Sequence, residues 1–203
     1  MANIKPKLLI LLITIILIFA VYLSYIGGYG SDEDTLPMIY VFERRLSDGS
    51  FVTSRFTGNP VAELGIGFLS YYFGSFVVNI ITFLFFFSGI IFIYYSLSKN
   101  LDNNLYIFLI LCLSSHVLFF DNIEPIDYSW ALLPFALGIF FLKKKLIELS
   151  VIFFAISVGV RLNYLIFILP VIYFYPYNYS ISLTRKSIIF ISIFFVSGLF
   201  YLP

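Results

Sequence analysis

Residues 146–175 form one apolar run, LIELSVIFFAISVGVRLNYLIFILPVIYFY, which Arg161 and Asn163 interrupt near its middle. As one long helix in a membrane, the run would place Arg161 deep in lipid at a cost of at least about 2.5–3.5 kcal/mol. It would also send the basic pair Arg185 and Lys186 to the outer side. As a hairpin of two short helices, it places Arg161 at the outer face and returns that pair to the cytoplasmic side, where Lys and Arg concentrate. The sequence therefore predicts a hairpin that turns at Arg161.

The composition of the whole chain is that of an integral membrane protein. Of 203 residues, 61% are apolar and 11% are charged, and the mean hydropathy is +1.02. Soluble domains are about 45–50% apolar and about 25% charged. The net charge of +1 comes with no basic patch of the kind that binds nucleic acid. A single cysteine, Cys112, excludes an intramolecular disulfide.

The apolar runs predict an all-α protein with about seven transmembrane helices, because a helix needs about 20 apolar residues to cross the hydrocarbon. The predicted crossings are residues 8–26, 75–97, 105–120, 128–142, two within 146–175, and 187–202. The first outer loop covers about residues 27–74 and is predicted to hold interfacial helices, one of them at residues 60–74. Residues 1–203 are expected to form a single membrane module.

The basic residues predict one orientation of this layout. Eight of the twelve fall on the side of the N-terminus: Lys5, Lys7, Lys99, Lys143, Lys144, Lys145, Arg185 and Lys186. Because an excess of Lys and Arg marks cytoplasmic loops, we expect a multi-pass protein of the plasma (inner) membrane with a cytoplasmic N-terminus. Nine of the eleven acidic residues then fall on the outer face. Acidic residues contribute little to orientation, so this concentration of charge at one membrane face suggests an active site.

Two acidic clusters lie in the predicted outer loops, SDED at residues 31–34 and DNIEPID at residues 121–127. Carboxylates suit general-base work on a hydroxyl group, or the binding of a hard cation through oxygen. The alternative for the first cluster is a solvated loop whose acids cap a helix beginning at Thr35, with Asp34 as its N-cap. The alternative for the second cluster is a turn with a purely topological role.

Three further charged residues are candidates for a site. Arg55 begins the stretch RFTGNP at residues 55–60, whose Gly-Asn-Pro is a turn signature, and Glu63 follows it. Arg55 could order the acidic loop through ion pairs, or it could form an exposed surface pair that is worth little. Arg161 offers a rigid guanidinium fork to a phosphate or a carboxylate. The alternative for Arg161 is an ion pair with one of the outer acids inside the membrane.

In chain order these features resemble the N-terminal membrane module of the GT-C superfamily of glycosyltransferases, multispanning enzymes that use polyprenyl-phosphate sugars. The resembling features are a first span, SDED, the stretch SRFTGNPVAE at residues 54–63 leading into an interfacial helix, the second acidic loop, and Gly159-Val160-Arg161 at the tip of a hairpin. Because members of that family have later spans, we expect the chain to be the N-terminal part of a longer protein.

The resemblance implies a membrane glycosyltransferase that moves a sugar from a polyprenyl-phosphate donor to an acceptor hydroxyl of a glycan, lipid or protein on the outer face. It implies that Asp32 or Asp34 is the catalytic base, and Asp32 followed by Glu33 fits the Asp-Glu pair that is frequent in the family. Arg161 would stabilise charge on the departing lipid phosphate. The other substrate-binding candidates are Glu33, Arg55, Glu63, Asp121, Glu124 and Asp127. The last three could position the acceptor or bind a divalent metal, and no other cofactor is predicted.

Two other functions are compatible with the sequence. An envelope polysaccharide polymerase or ligase also spans the membrane many times and carries charged outer loops, and a large Arg-rich loop would favour it, but the sequence contains none. A transporter or scaffold, whose charges only fix topology, belongs to a different class. A transporter would more naturally show internal repeats and helices broken near the midplane of the membrane.

Overall fold

The computed structural model describes residues 4–30, 35–49, 53–54, 59–97, 122–174 and 181–201. These residues contain helices and no strand, so the predicted all-α class is confirmed for them. The seven helices are α1 (Ile4–Ile26), α2 (Thr35–Asp48), α3 (Pro60–Leu97), α4 (Asp127–Lys143), α5 (Ile147–Val160), α6 (Tyr164–Phe174) and α7 (Leu183–Phe200).

Six of the predicted crossings coincide with a helix or part of one, and the predicted crossing at residues 105–120 lies outside the described residues. Among the described residues, two helices are long and apolar enough to span a membrane, Pro60–Ser96 within α3 and the whole of α7. The described apolar parts of α1, α5 and α6 are shorter. The prediction of about seven transmembrane helices is therefore supported only in part by length and composition.

Helix α3 is broken at Gly74, whose φ of 76° and ψ of 179° are not helical. A residue with a side chain would be strained at this positive φ, whereas glycine adopts it readily. The break falls where the sequence predicts the change from an interfacial helix to a crossing. Residues 75–97 alone are about 35 Å long at 1.5 Å per residue, which is enough to cross the hydrocarbon.

Helices α3 and α4 lie side by side and run parallel. Trp130 near the start of α4 donates from its indole Nε1 to Oγ1 of Thr82 near the middle of α3, at 2.8 Å. Near their ends, Lys143 Nζ donates to the carbonyl of Tyr95 at 2.9 Å. The last residue of α3 and the first residue of α4 therefore lie at opposite ends of this pair.

The apolar run at residues 146–175 forms two helices, α5 and α6, as the predicted hairpin requires. The break occurs at Arg161, which has an extended backbone (φ −146°, ψ 117°). Its N–H still donates to the carbonyl of Ser157 at 2.9 Å. Helix α7 then packs antiparallel to α6, because Lys186 Nζ at its start reaches the carbonyl of Tyr173 near the end of α6 at 2.7 Å.

One apolar cluster holds α2, α3, α4 and α5 together. Its buried members are Met38, Ala62, Ile66, Val78, Trp130, Ala131 and Val160. Gly159 lets three elements meet there, since an added Cβ would lie 2.8 Å from both Val61 and Phe200. This packing brings the first turn of α3, the first turn of α4 and the α5–α6 turn to one end of the bundle.

Candidate functional site

A buried ion pair between Arg161 and Asp127 lies at this end. Arg161 Nη1 donates to Asp127 Oδ1 at 2.7 Å, and the two side chains are 11% and 1% exposed. The other carboxylate oxygen, Oδ2, accepts from Asn59 Nδ2 at 2.7 Å. A buried charge is tolerated only when it is paired and hydrogen-bonded, and Asp127 meets both conditions. The structure therefore pairs Arg161 with an acid of the second acidic loop, and the side of the membrane on which this acid lies stays a prediction.

The helix ends favour both charges of the pair. Asp127 occupies the first turn of α4, where the backbone N–H groups stabilise negative charge. Arg161 caps the C-terminal end of α5, where the backbone carbonyls stabilise positive charge. The two ends are adjacent because α4 and α5 are antiparallel, as the hydrogen bond from Ser157 Oγ to the carbonyl of Ala131 at 2.9 Å shows.

An aromatic ring completes the surroundings of the guanidinium. Arg161 Cζ lies 3.4 Å from the ring centroid of Tyr128, within the range of a cation–π interaction. Tyr128 itself is exposed. Within the described part of the chain, the remaining N–H groups of Arg161 donate to no acceptor. They could therefore serve a ligand with acceptor oxygens.

Glu63 anchors the ends of the loop that contains Arg55. The carboxylate is 1% exposed, and its Oε1 accepts from the N–H of Ser54 at 2.8 Å, from Ser54 Oγ at 2.5 Å and from the N–H of Asn59 at 3.2 Å. In return, the N–H of Glu63 donates to the carbonyl of Asn59 at 2.8 Å. The second oxygen, Oε2, has no hydrogen-bond partner among the described residues.

The flanks of the first acidic cluster lie against the second acidic loop. Thr35 Oγ1 donates to the carbonyl of Pro125 at 3.3 Å, and the backbone at Gly30 has no room for a Cβ because Glu124 packs directly on it. Tyr29 ties the same segment to α3 through a hydrogen bond to the carbonyl of Ser70 at 3.3 Å. Partial burial, with the negative charge of Glu43 as the smaller cause, raises the pKa of Tyr29 above its ordinary value.

The structure brings three of the nine predicted site residues together, namely Glu63, Asp127 and Arg161. Glu124 lies at the same end of the bundle, against Gly30. Asp32, Glu33, Asp34, Arg55 and Asp121 lie outside the described residues, so their predicted roles stay predictions. Asn59 was not among the predicted site residues. Its place just before a helix that begins with proline indicates a turn, but no feature of the sequence indicates its hydrogen bond to Asp127.

No family model matches the chain, and neither does any curated protein or solved structure. The resemblance to the GT-C superfamily therefore rests on the order and sidedness of the quoted motifs.

The described residues contain no group of three or more His, Cys, Asp or Glu that could hold a metal ion. Both oxygens of Asp127 are already hydrogen-bonded, one to Arg161 and one to Asn59. Asp121 lies outside the described residues, so the predicted divalent metal stays a prediction.

Proposed function

We propose that the chain is an integral membrane protein. Large apolar side chains are exposed on the outside of the bundle along α1, α6 and α7, including Ile18, Ile166, Phe174, Phe194 and Phe195. Soluble monomers rarely expose apolar patches of this extent, whereas lipid covers them at no cost.

We also propose that the end with Arg161 faces outwards and that the N-terminus is cytoplasmic. Lys143 is the last residue of α4 and is followed by Lys144 and Lys145, and Arg185 and Lys186 lie in the first turn of α7. Both groups are at the end opposite to Asp127 and Arg161. The positive-inside rule assigns such an end to the cytoplasm. The location that fits is the plasma (inner) membrane.

At the outer end we propose transfer of a sugar from a polyprenyl-phosphate donor to an acceptor hydroxyl of a glycan, lipid or protein. The observation that carries this proposal is the position of Arg161. It is an almost buried cation at the tip of a helix hairpin, held by Asp127 and Tyr128, with N–H groups left over for a phosphate. The flanks of the first acidic cluster meet the second acidic loop at the same end of the bundle.

In the proposed reaction, the carboxylate of Asp32 or Asp34 takes the proton of the acceptor hydroxyl. The acceptor oxygen forms a bond to the anomeric carbon, and the bond from that carbon to the phosphate oxygen breaks, with its electron pair leaving on the polyprenyl phosphate. Arg161 stabilises the negative charge on that phosphate. The carboxyl then releases its proton to water. Asp127 acts here as a positioning residue that orients the guanidinium.

The test is sugar transfer by the whole protein in membranes supplied with polyprenyl-phosphate sugars, with wild type compared to Asp32→Asn and Asp34→Asn at matched expression. Loss of a general base should lower transfer by about 10²–10⁴-fold in one of the two variants. Asp48→Asn is the control, because Asp48 is exposed and pairs with the exposed Arg44. Equal transfer by all variants would remove the first acidic cluster from the mechanism.

A scaffold function is the second candidate, and the saturation of Asp127 favours it, since Arg161 and Asn59 use both of its oxygens. Arg161→Ala leaves Asp127 buried without its cation and should lower stability under either function. The double variant Asp127→Leu with Arg161→Met, in which no charge is left unpaired, separates the two functions. In the transferase, the folded double variant would transfer no sugar while wild type does. In a scaffold, no donor would support transfer by either protein.

A further inference from the structure

A cleft of about 230 Å³ lies between the end of α1 and the second half of α3, at the same end of the bundle as Arg161. Its walls are Leu23, Ile26, Gly27, Asn79, Ile123 and Glu124. The cleft is much larger than the roughly 30 Å³ share of one water molecule and smaller than the pockets of about 300–1,000 Å³ that hold drug-sized ligands. Its size suits a single small ring.

The side chain of Asn79 is 1% exposed and its orientation is fixed. The amide Nδ2 donates to the carbonyl of Gly28 at 2.6 Å and to that of Ser24 at 3.4 Å. Its carbonyl oxygen, Oδ1, is buried and accepts from no donor within the described ranges. Buried acceptors normally accept a hydrogen bond. A molecule in the cleft that carries a donor would supply the missing hydrogen bond to Asn79 Oδ1.

The chemistry of the walls selects the type of donor. Among the described residues, the polar side chains that line the cleft are Asn79, whose open position is an acceptor, and Glu124, whose carboxylate is also an acceptor. A phosphate would meet two acceptors there. Leu23, Ile26 and Ile123 offer apolar contact. A sugar ring matches both features, because it carries hydroxyl donors at its edge and C–H groups on its faces.

We propose that this cleft binds the sugar ring of a glycan acceptor, while the donor's phosphate binds at Arg161. The binding of a sugar is inferred from the cleft alone. Its role as the acceptor of the reaction rests on the proposed transferase function. Gly27 lines the cleft, and the predicted base, Asp32 or Asp34, follows it in the sequence. Asn79 and Glu124 are the residues that would determine which hydroxyls are accepted.

The binding test uses the whole protein in lipid nanodiscs and a panel of neutral methyl glycosides, with binding followed by saturation-transfer NMR. Ile26→Trp adds bulk at an exposed position of the cleft wall and should weaken binding about tenfold or more, equivalent to about 1.4 kcal/mol. Ile18→Trp is the matched control, because Ile18 is a similarly exposed isoleucine of α1 that does not line the cleft. Asn79→Leu should weaken binding in the same way. If Asn79→Leu fails to fold, Ile26→Trp alone still tests whether the glycoside binds in the cleft.

Saturable binding of a glycoside that Ile26→Trp weakens and Ile18→Trp leaves unchanged is the expected result. The proposal is overturned if no glycoside binds, if Ile26→Trp binds as wild type does, or if methylammonium or inorganic phosphate competes for the cleft in place of the glycoside.

Transfer assays separate this proposal from the transferase itself. If both stand, Ile26→Trp should raise KM for the acceptor and leave kcat unchanged. Full transfer by Ile26→Trp, together with loss of transfer in an Asp32 or Asp34 variant, would reject the cleft and keep the transferase. Glycoside binding that depends on Ile26, together with no transfer from any donor, would keep the sugar site and reject the transferase.

Discussion

The two ends of the bundle carry charge in opposite ways. At the lysine-rich end, the ammonium groups of Lys143 and Lys186 donate to backbone carbonyls near the ends of α3 and α6, and Lys144 is exposed. At the other end, Asp127 is buried, Arg161 is almost buried, and the two bind each other. The first arrangement neutralises helix ends at a surface, whereas the second makes the fold depend on a specific pair. The burial of a charged side chain, more than its charge, therefore distinguishes a candidate site from residues that only mark membrane orientation.

The largest effect is expected when the buried pair loses one partner. Asp127→Leu should lower the free energy of unfolding by about 3–5 kcal/mol, because it leaves the guanidinium of Arg161 buried without its carboxylate. Chemical denaturation in detergent, followed by circular dichroism, measures the change. Asp48→Leu, which breaks the exposed pair with Arg44, should cost no more than about 1 kcal/mol.

The double variant Asp127→Leu with Arg161→Met sharpens the same test. Replacing both partners by apolar residues removes the uncompensated charge, so much of the lost stability should return. If the loss of unfolding free energy in the double variant equals the sum of the losses in the two single variants, the ion pair contributes no specific stability. The contrast between the two ends then fails.

A smaller loss of unfolding free energy is expected when the side chain at position 63 keeps its shape but loses its charge. Glu63→Gln should cost about 1–2 kcal/mol, because hydrogen bonds to a charged acceptor are stronger than bonds to a neutral one. The same denaturation experiment measures it. Glu148→Gln, at an exposed position in the first turn of α5, is the control and should stay within about 0.5 kcal/mol. Equal effects of the two changes would mean that burial of Glu63 has no energetic role.

A modest and pH-dependent effect is expected at Tyr29. Tyr29→Phe should cost about 0.5–1 kcal/mol at neutral pH through loss of the bond to Ser70. Because the pKa of Tyr29 is raised in the folded protein, the hydroxyl contributes fully below pH 10 and its contribution is lost as pH rises through the raised pKa. The stability difference between wild type and Tyr29→Phe should therefore shrink above pH 10. A difference that grows there would contradict the raised pKa.

The smallest effect is expected at the lysine-rich end. Lys144 is exposed, and its Nζ lies 5.8 Å from the ring centroid of Phe140. Lys144→Ala should change the free energy of unfolding by less than about 0.5 kcal/mol. A loss comparable to that of Asp127→Leu would show that this end, too, is held by its charges.

The sequence predicted features that depend on local patterns. Arg161 inside an apolar run predicted the α5–α6 turn, and the glycine at position 74 marked the change of direction in α3. The partner of Arg161 could not be predicted in the same way. The second acidic loop offers Asp121, Glu124 and Asp127, and only the packing of α4 against α5 determines that Asp127 faces Arg161. Likewise, Glu63 was expected to bind substrate, and nothing local shows that Ser54 and Asn59 fold around it.

The ion pair also imposes an order on biogenesis. Asp127 precedes Arg161 by 34 residues, so at about 5–20 residues per second its carboxylate exists for roughly 2–7 s before the ribosome has made its partner. During that interval α4 relies on contacts with segments already synthesised, such as the bond from Trp130 to Thr82. The pair therefore forms late on the nascent chain, after α5 has been made and before α6, and it joins the start of α4 to the end of α5.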